Sequence, residues 1–399
     1  MSEDSHPDRW RALALLALAE LLGMSLWFAG TAVAPLLRER WSLDATEVGW
    51  LTAIVQLGFV VGTAVAAILN LADLVPSRYY VATSATLGAA ANALLLVRGG
   101  YTLALVSRFF SGFFLAGVYP PAMKMAATWF RSRRGLAIGV IVGALTVGKA
   151  LPFLVKAFSW RDTSTVIAMS SVFALAGAAI IATTYRDGPH PFAPRPFSWA
   201  LVRTVARVHP WRLATGSYLG HMFELYSFWT WIPAFLAASA AATAGAPNES
   251  TLALTAFLVI AFGAAGCVWG GMAADRRGRE RVITIALAAS GSCALLAGMF
   301  FGLDFRVTAV MATVWSFFVI ADSAQFSALV TESVPAHAVG TALTMQTCLG
   351  FLLTLVSIQL VPPVVARTGW GWAFAMLALG PAAGIVAIHR LARIRRIGA

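Results

Sequence analysis

Six ionisable side chains stand in stretches of sequence that are otherwise apolar: Glu20, Arg108, Lys149, His221, Glu224 and Asp322. Charge in such surroundings is costly and marks a functional site by default. The residue types divide the work. Glu20, His221, Glu224 and Asp322 can take up and release a proton, which makes them candidates for proton coupling. Arg108 and Lys149 can hold an anion. Aromatic residues recur beside them: Trp27 lies seven residues after Glu20, Trp231 seven after Glu224, and Tyr119 eleven after Arg108. At helical spacing each falls on the face of its charged neighbour. The candidate substrate-binding set is therefore Arg108, Lys149, Trp27, Tyr119 and Trp231, with the rings as a stacking or cation–π wall. Simpler roles compete. Glu20 and Arg108 could form a structural ion pair, His221 a hydrogen bond to Glu224, and the Trp residues interfacial anchors.

The elements that carry these groups follow from composition. Of 399 residues, 59% are hydrophobic and 12% charged, half the ordinary charged share. The charges cluster, leaving apolar runs long enough to cross a bilayer as helices. Twelve are expected, at about 12–37, 46–71, 79–98, 102–130, 135–156, 163–185, 213–238, 252–274, 282–302, 307–331, 338–361 and 371–389. The net charge of +12 fits topology better than nucleic acid. Nineteen of the 29 Lys and Arg lie in the two tails and alternate loops, seven in the opposite loops, and Arg108, Lys124 and Lys149 within apolar segments. Positive residues stay cytoplasmic, so both termini are expected there. Lys124 can snorkel towards that side. Cys267, Cys293 and Cys348 are widely spaced, each in an apolar run, and imply neither a disulfide framework nor a metal site. Glu20 interrupts the first run, which reads as an uncleaved span and not a signal peptide.

The longest connection, 186–212, opens RDGPHPFAPRPFSW and reads as a cytoplasmic linker, with a short interfacial helix around Trp199–Val208. It separates an N-terminal six-helix half, 1–185, from a C-terminal one, 213–399. The halves repeat: Glu20 and Glu224 are 204 residues apart, Asp73 and Asp275 202, Gly135 and Gly340 205. Near-constant offsets indicate an internal duplication.

Residues 271–281 read GMAADRRGRER, after the eighth expected span. Gly271, Asp275, Arg276 and Gly278 fit the pattern G-x-x-x-D-R-x-G-x-R-R. Arg281 fits one closing basic position and Glu280 departs at the other. This resembles the cytoplasmic loop of the major facilitator superfamily. Gly271 then serves helix packing and Gly278 a tight turn. The resemblance implies that Asp275 faces the N-terminus of the eleventh helix. Arg279 and the neighbouring arginines can reach a carboxylate, for which Glu332 is the candidate. In the first half, LNLADLVPSRY keeps Asp73 and Arg78 but has Leu69, Leu74 and Pro76 where the pattern has Gly, Arg and Gly. VSRFFSGFFLAG resembles the family's fourth-helix R-F-x-x-G at Arg108, Phe109 and Gly112. The family's fifth-helix antiporter pattern, Gly-Pro-x-x-Gly-Gly, is absent, and Pro152 stands alone.

The resemblance implies an all-α membrane protein of twelve helices in two pseudo-symmetric six-helix bundles, with spans 1, 4, 7 and 10 around a central cavity. It implies a secondary active transporter working by alternating access, not an enzyme, without cofactor or metal. The end of the fourth span, GVYPPAMKMAATWF then RSRRGLAIG, is similar to the nitrate/nitrite and cyanate porter branches. Those porters carry an Arg in spans 2 and 8, and this chain has none there. The expected activity is proton-coupled transport of a small organic or inorganic anion, carboxylate-like in charge. Proton-driven efflux of drugs or metabolites is the alternative. The expected partners are the substrate, protons and the lipid bilayer, with the chain a monomer in a bacterial plasma (inner) membrane.

Overall fold

The computed structural model describes residues 6–97, 99–130, 134–159, 162–190, 197–243 and 246–397. Arg98, Arg131, Arg133, Arg161 and Arg195, which enter the charge asymmetry, lie outside these residues, as does 191–196 of the expected linker. Every regular element among the described residues is helical. In the first half of the chain these are α1 (Arg9–Met24), α2 (Ala29–Trp41), α3 (Ala45–Ile68), α4 (Leu71–Leu74), α5 (Ser77–Ala93), α6 (Gly100–Leu115), α7 (Tyr119–Ala127), α8 (Arg134–Phe158) and α9 (Thr163–Thr184). The second half holds α10 (Trp199–Arg207), α11 (His209–Ala241), α12 (Glu249–Arg277), α13 (Arg279–Leu296), α14 (Phe305–Ala321), α15 (Ser323–Ser333), α16 (Val339–Thr368), α17 (Trp370–Ala373) and α18 (Leu379–Ile397). The chain divides into two compact units, Met1–Phe197 and Ser198–Ala399.

Ten helical stretches among the described residues are long and apolar enough to cross a membrane. Neither α5 nor α11 is one of them. α5 has 17 residues rich in Ala, Ser and Tyr, and α11 is 33 residues long but carries His209, Arg212, His221 and Glu224. The outward faces of the spans are bare of polar cover: Leu258, Val310 and Val356 are each more than half exposed. In water such a surface would drive aggregation, whereas lipid solvates it. This is an integral membrane protein.

Loops are tied down by side-chain caps. Asp44 and Glu47 cap α3 reciprocally, each carboxylate accepting the other's backbone N–H at 2.8 Å. Asn248 Oδ1 accepts from Thr251 N at 2.8 Å at the start of α12. Asp162 does the same for α9 through Ser164 N and Thr165 N, at 2.9 and 3.2 Å. Hydrogen bonds from Thr165 and Ser164 hold the Asp162 carboxyl below its ordinary range.

Four expected spans are interrupted, which a hydropathy pattern cannot show; one of them, 371–389, breaks at Phe374–Ala378 between α17 and α18. The stretch 12–37 breaks at Ser25–Phe28 between α1 and α2, 102–130 at Ala116–Val118 between α6 and α7, and 307–331 at Asp322 between α14 and α15. Ser25 Oγ bends the first by donating back to Leu22 O at 2.7 Å and across to Ser170 O at 3.0 Å. Pro120 and Pro121 lack the N–H groups that would continue α6 into α7.

Close packing in the two units follows one plan. In unit 1, α3 lies on α6 so tightly that a Cβ at Gly58 or Gly62 would overlap the carbonyl oxygen of Phe109 or Phe113. In unit 2, α12 lies on α14, and a Cβ at Gly266 or Gly270 would overlap the carbonyl of Phe317 or Ala321. All four positions of one set map onto the other by adding 208 residues. Small residues four apart let membrane helices meet backbone to backbone, where dispersion and not the hydrophobic effect holds them.

Candidate functional site

The buried charges gather into one polar centre in each unit. In unit 1 the break in the first span exposes carbonyls that a continuous helix would use internally. Arg108, on α6 and wholly buried, fills that gap. Its Nη1 donates to Leu26 O at 2.8 Å and Asn92 Oδ1 at 3.4 Å, its Nε to Leu51 O at 3.3 Å, and its Nη2 to Trp27 O. Gly30 leaves room for it, since a Cβ there would stand 2.8 Å from Nε. The guanidinium is thus committed to the protein's own backbone, and Glu20 is not among its partners. An arginine fork matches a set of splayed carbonyls, and the helix break supplies them, so the simpler role considered for Arg108, an ion pair with Glu20, is not the one formed.

Glu20 instead lies within electrostatic reach of Lys149, on α8. Both are buried, and neither Glu20 oxygen has a hydrogen-bond partner among the described residues. Lys149 Nζ stands 4.0 Å from the centroid of Trp27, a cation–π contact. Trp27 itself is fully buried and tilted against Phe59, ring centroids 5.1 Å apart. Glu20, Lys149 and Trp27 therefore form a single cluster. Tyr119 begins α7, just past the break in the fourth span, and is half-buried.

In unit 2 Glu224, at the middle of α11, is buried and held by two neutral donors. Ser290 Oγ donates to Oε2 and Trp315 Nε1 to Oε1, each at 2.7 Å. Its expected partner His221 faces elsewhere. His221 Nδ1 stands 2.9 Å from Asp322 Oδ1, an ion-pair distance without the alignment of a hydrogen bond. The imidazole also packs against Phe326 at 5.2 Å and Tyr218 at 6.1 Å between centroids. Three residues along a helix turn the side chain by about 300°, so His221 meets the break after α14 while Glu224 meets α13. Asp322 is electrostatically coupled to Glu224, so the three still form one cluster. Trp231 is anchored by Nε1–H donated to Ile358 O on α16 at 3.0 Å.

The loop after α12 is organised about a carboxylate. Gly278 takes φ 84°, a left-handed conformation that admits glycine readily. Arg279 Nε pairs with Glu332 Oε1 at 2.8 Å and its Nη1 donates to Gln325 Oε1 at 3.0 Å. Arg395, on α18, reaches both Glu332 and Glu280, each at 3.0 Å. The acidic departure at Glu280 is thus matched by a distant arginine. Asp275 and Arg276 are exposed, and their side chains make no ion pair or hydrogen bond among the described residues. Gly271 is buried, but its neighbour Gly270 makes the close approach to α14. In unit 1 Asp73 pairs with Lys124, which also donates to Ala72 O at 3.0 Å. Arg78 folds onto the adjacent Tyr79, with its guanidinium carbon 4.5 Å from the ring centroid.

Ser290, Asn92 and Arg395 were not singled out in the sequence. A lone Ser or Asn in an apolar helix carries no signal of its partner, and Arg395 sits in a basic tail that topology alone explains.

Broken, glycine-packed helices with a buried acid-bearing centre in each unit define a membrane transporter. A profile of the Major Facilitator Superfamily matches residues 15–358. The chain belongs to that superfamily, whose members are transporters and not enzymes. The fold is similar to the crystal structure of FucP, a Major Facilitator Superfamily transporter in the outward conformation. The TM-score is 0.69 at 13% sequence identity, over 95% of this chain and 98% of that one, a likeness of fold alone. No curated protein matches the chain.

Proposed function

We propose that this protein is a proton-coupled secondary transporter of a small carboxylate-like anion. It works as a monomer by alternating access, with twelve spans in two related halves. The observation that carries the coupling is the setting of Glu224. Its carboxyl group is buried between two neutral donors, beside a second buried acid, Asp322, and one imidazole. Protonation there removes a buried charge and so shifts the balance between states that differ in exposure of the site. His221 and Asp322 pass or share that proton. The anion is taken by Lys149, whose ammonium group already rests on an aromatic face beside Glu20. Trp27 forms the wall. Arg108 shapes the site from behind by holding the break in the first span. The loop contacts of Arg279 with Glu332, and of Lys124 with Asp73, close the cytoplasmic side in one state. Both termini and the 186–212 linker lie on that side of a bacterial plasma membrane, and the arginine distribution supports that orientation.

One observation favours proton-driven efflux of a cationic drug or metabolite: Glu20 presents two buried oxygens with no hydrogen-bond partner among the described residues. The two readings separate in proteoliposomes with an imposed proton gradient, tested against a panel of carboxylates and lipophilic cations. The proposal expects carboxylate accumulation that Lys149→Gln abolishes. Transport of cations only, or unchanged carboxylate uptake by Lys149→Gln, overturns it.

A further inference from the structure

α10 is a nine-residue helix, WALVRTVAR, capped by Ser198, whose Oγ accepts from Leu201 N at 3.4 Å. Its two faces differ sharply. Val205 is buried with Trp211, Val334, Ala338 and Ala342, and Leu201 and Val208 pack against the same cluster. This seats the helix across one end of unit 2, where α11 and α16 begin and α15 ends, with Trp211 Nε1 donating to Ala342 O at 3.2 Å. The other face carries Trp199, 65% exposed, with Arg203 and Arg207 exposed one turn apart. Arg212 stands exposed at the start of α11. The side chains of the three arginines make no ion pair or hydrogen bond among the described residues, whereas Arg279 and Arg395 at other exposed ends are paired.

α10 lies against the end of one apolar stretch long enough to cross a membrane, Phe305–Ser333, and the start of another, Ala336–Thr368, which puts its outer face near the lipid headgroups. An exposed tryptophan there has an apolar body and a polar edge, which suits that boundary. Two cations one turn apart on the same face match an anionic headgroup, as charged amphipathic helices do at membrane surfaces. We propose that the outer face of α10 binds the headgroup of an anionic phospholipid through Arg203 and Arg207, with Trp199 seated at the boundary between headgroups and acyl chains. Because α10 is packed on the first turns of α11 and α16, the bound lipid braces the start of both helices.

The test measures binding of phosphatidylglycerol and phosphatidylcholine to the full chain in a nonionic detergent, by native mass spectrometry and at two salt concentrations. Each arginine near a charged headgroup contributes enough that losing both weakens phosphatidylglycerol binding roughly 30-fold. The expected result is therefore a preference for phosphatidylglycerol that falls with salt and is lost in Arg203→Gln/Arg207→Gln. Arg390→Gln/Arg393→Gln, at exposed cations on α18, should keep it. Both pairs are exposed, so the variants should fold, and retained phosphatidylcholine binding verifies this. Three results overturn the proposal: an α10 variant that binds phosphatidylglycerol like the parent, an equal loss in the α18 variant, or displacement of the lipid by inorganic phosphate or glycerol phosphate at matched concentration. The last would make the face a site for a soluble phosphate.

Discussion

Replacing Arg108 by Leu should destabilise unit 1 severely, because the break in the first span depends on it. The guanidinium satisfies the carbonyls of Leu26, Trp27 and Leu51 and the amide oxygen of Asn92. Two of the four bonds are long, at 3.3 and 3.4 Å, and contribute little. The bond to Leu26, at 2.8 Å, is well formed, and Trp27 O is the other close acceptor. Leaving each of those carbonyls buried and unpaired costs about 1–3 kcal/mol. Removing the buried charge itself relieves part of that cost. The expected net loss is about 3 kcal/mol, with Arg108→Lys recovering less than half, since one ammonium cannot span carbonyls on two helices. Thermal unfolding of the purified protein in detergent, followed by loss of the monodisperse peak, reads this directly. A parent-like midpoint for Arg108→Leu would refute the reasoning, because the carbonyls would then be satisfied without the arginine.

Two more perturbations test other parts of the account. Gly270→Ala puts a Cβ against the immovable carbonyl of Ala321 and should cost about 2–3 kcal/mol, while Gly340→Ala, which meets nothing within 4 Å, should be neutral or slightly stabilising in the same unfolding assay. Asp162→Ala removes the cap of α9 and should cost about 1 kcal/mol at neutral pH. Since the folded state holds this carboxyl below its ordinary range, the cap's contribution is complete above about pH 4 and is lost as pH falls through the lower folded value. The parent and variant should therefore converge in acid, and a gap that persists there would contradict the assignment.

Much of this was legible in the residues, for reasons that also explain the gaps. Hydrophobic runs gave the membrane helices because they report directly on solvent. Buried ionisable residues stood out because a charge in an apolar run is rare whatever it touches. What they touch was not legible. Periodicity placed His221 and Glu224 on one face, yet a face is about 100° wide and their contacts lie on different neighbours, Asp322 and Ser290. Arg108 drew attention by its charge, but its role depends on a helix break that hydropathy does not register. Gln325, three residues past Asp322, carried no signal of its partner in the sequence. The change of direction at Asp322 swings it to Arg279 and the loop. Glu332 was found because it is a lone carboxylate at the right end of its helix. The repeat was stronger than its first landmarks: Gly58 and Gly62 match Gly266 and Gly270 at one offset, 208, together with the residues they pack on.

The most direct test of the central claim compares Glu224→Gln with the parent in proteoliposomes. One assay drives carboxylate uptake with a proton gradient; the other measures counterflow of the same carboxylate with no gradient. The amide keeps the size of the side chain and can still accept from Ser290 or Trp315, so the site should remain formed. The account predicts that gradient-driven accumulation disappears while counterflow persists. Accumulation that still responds to the gradient as in the parent would contradict it.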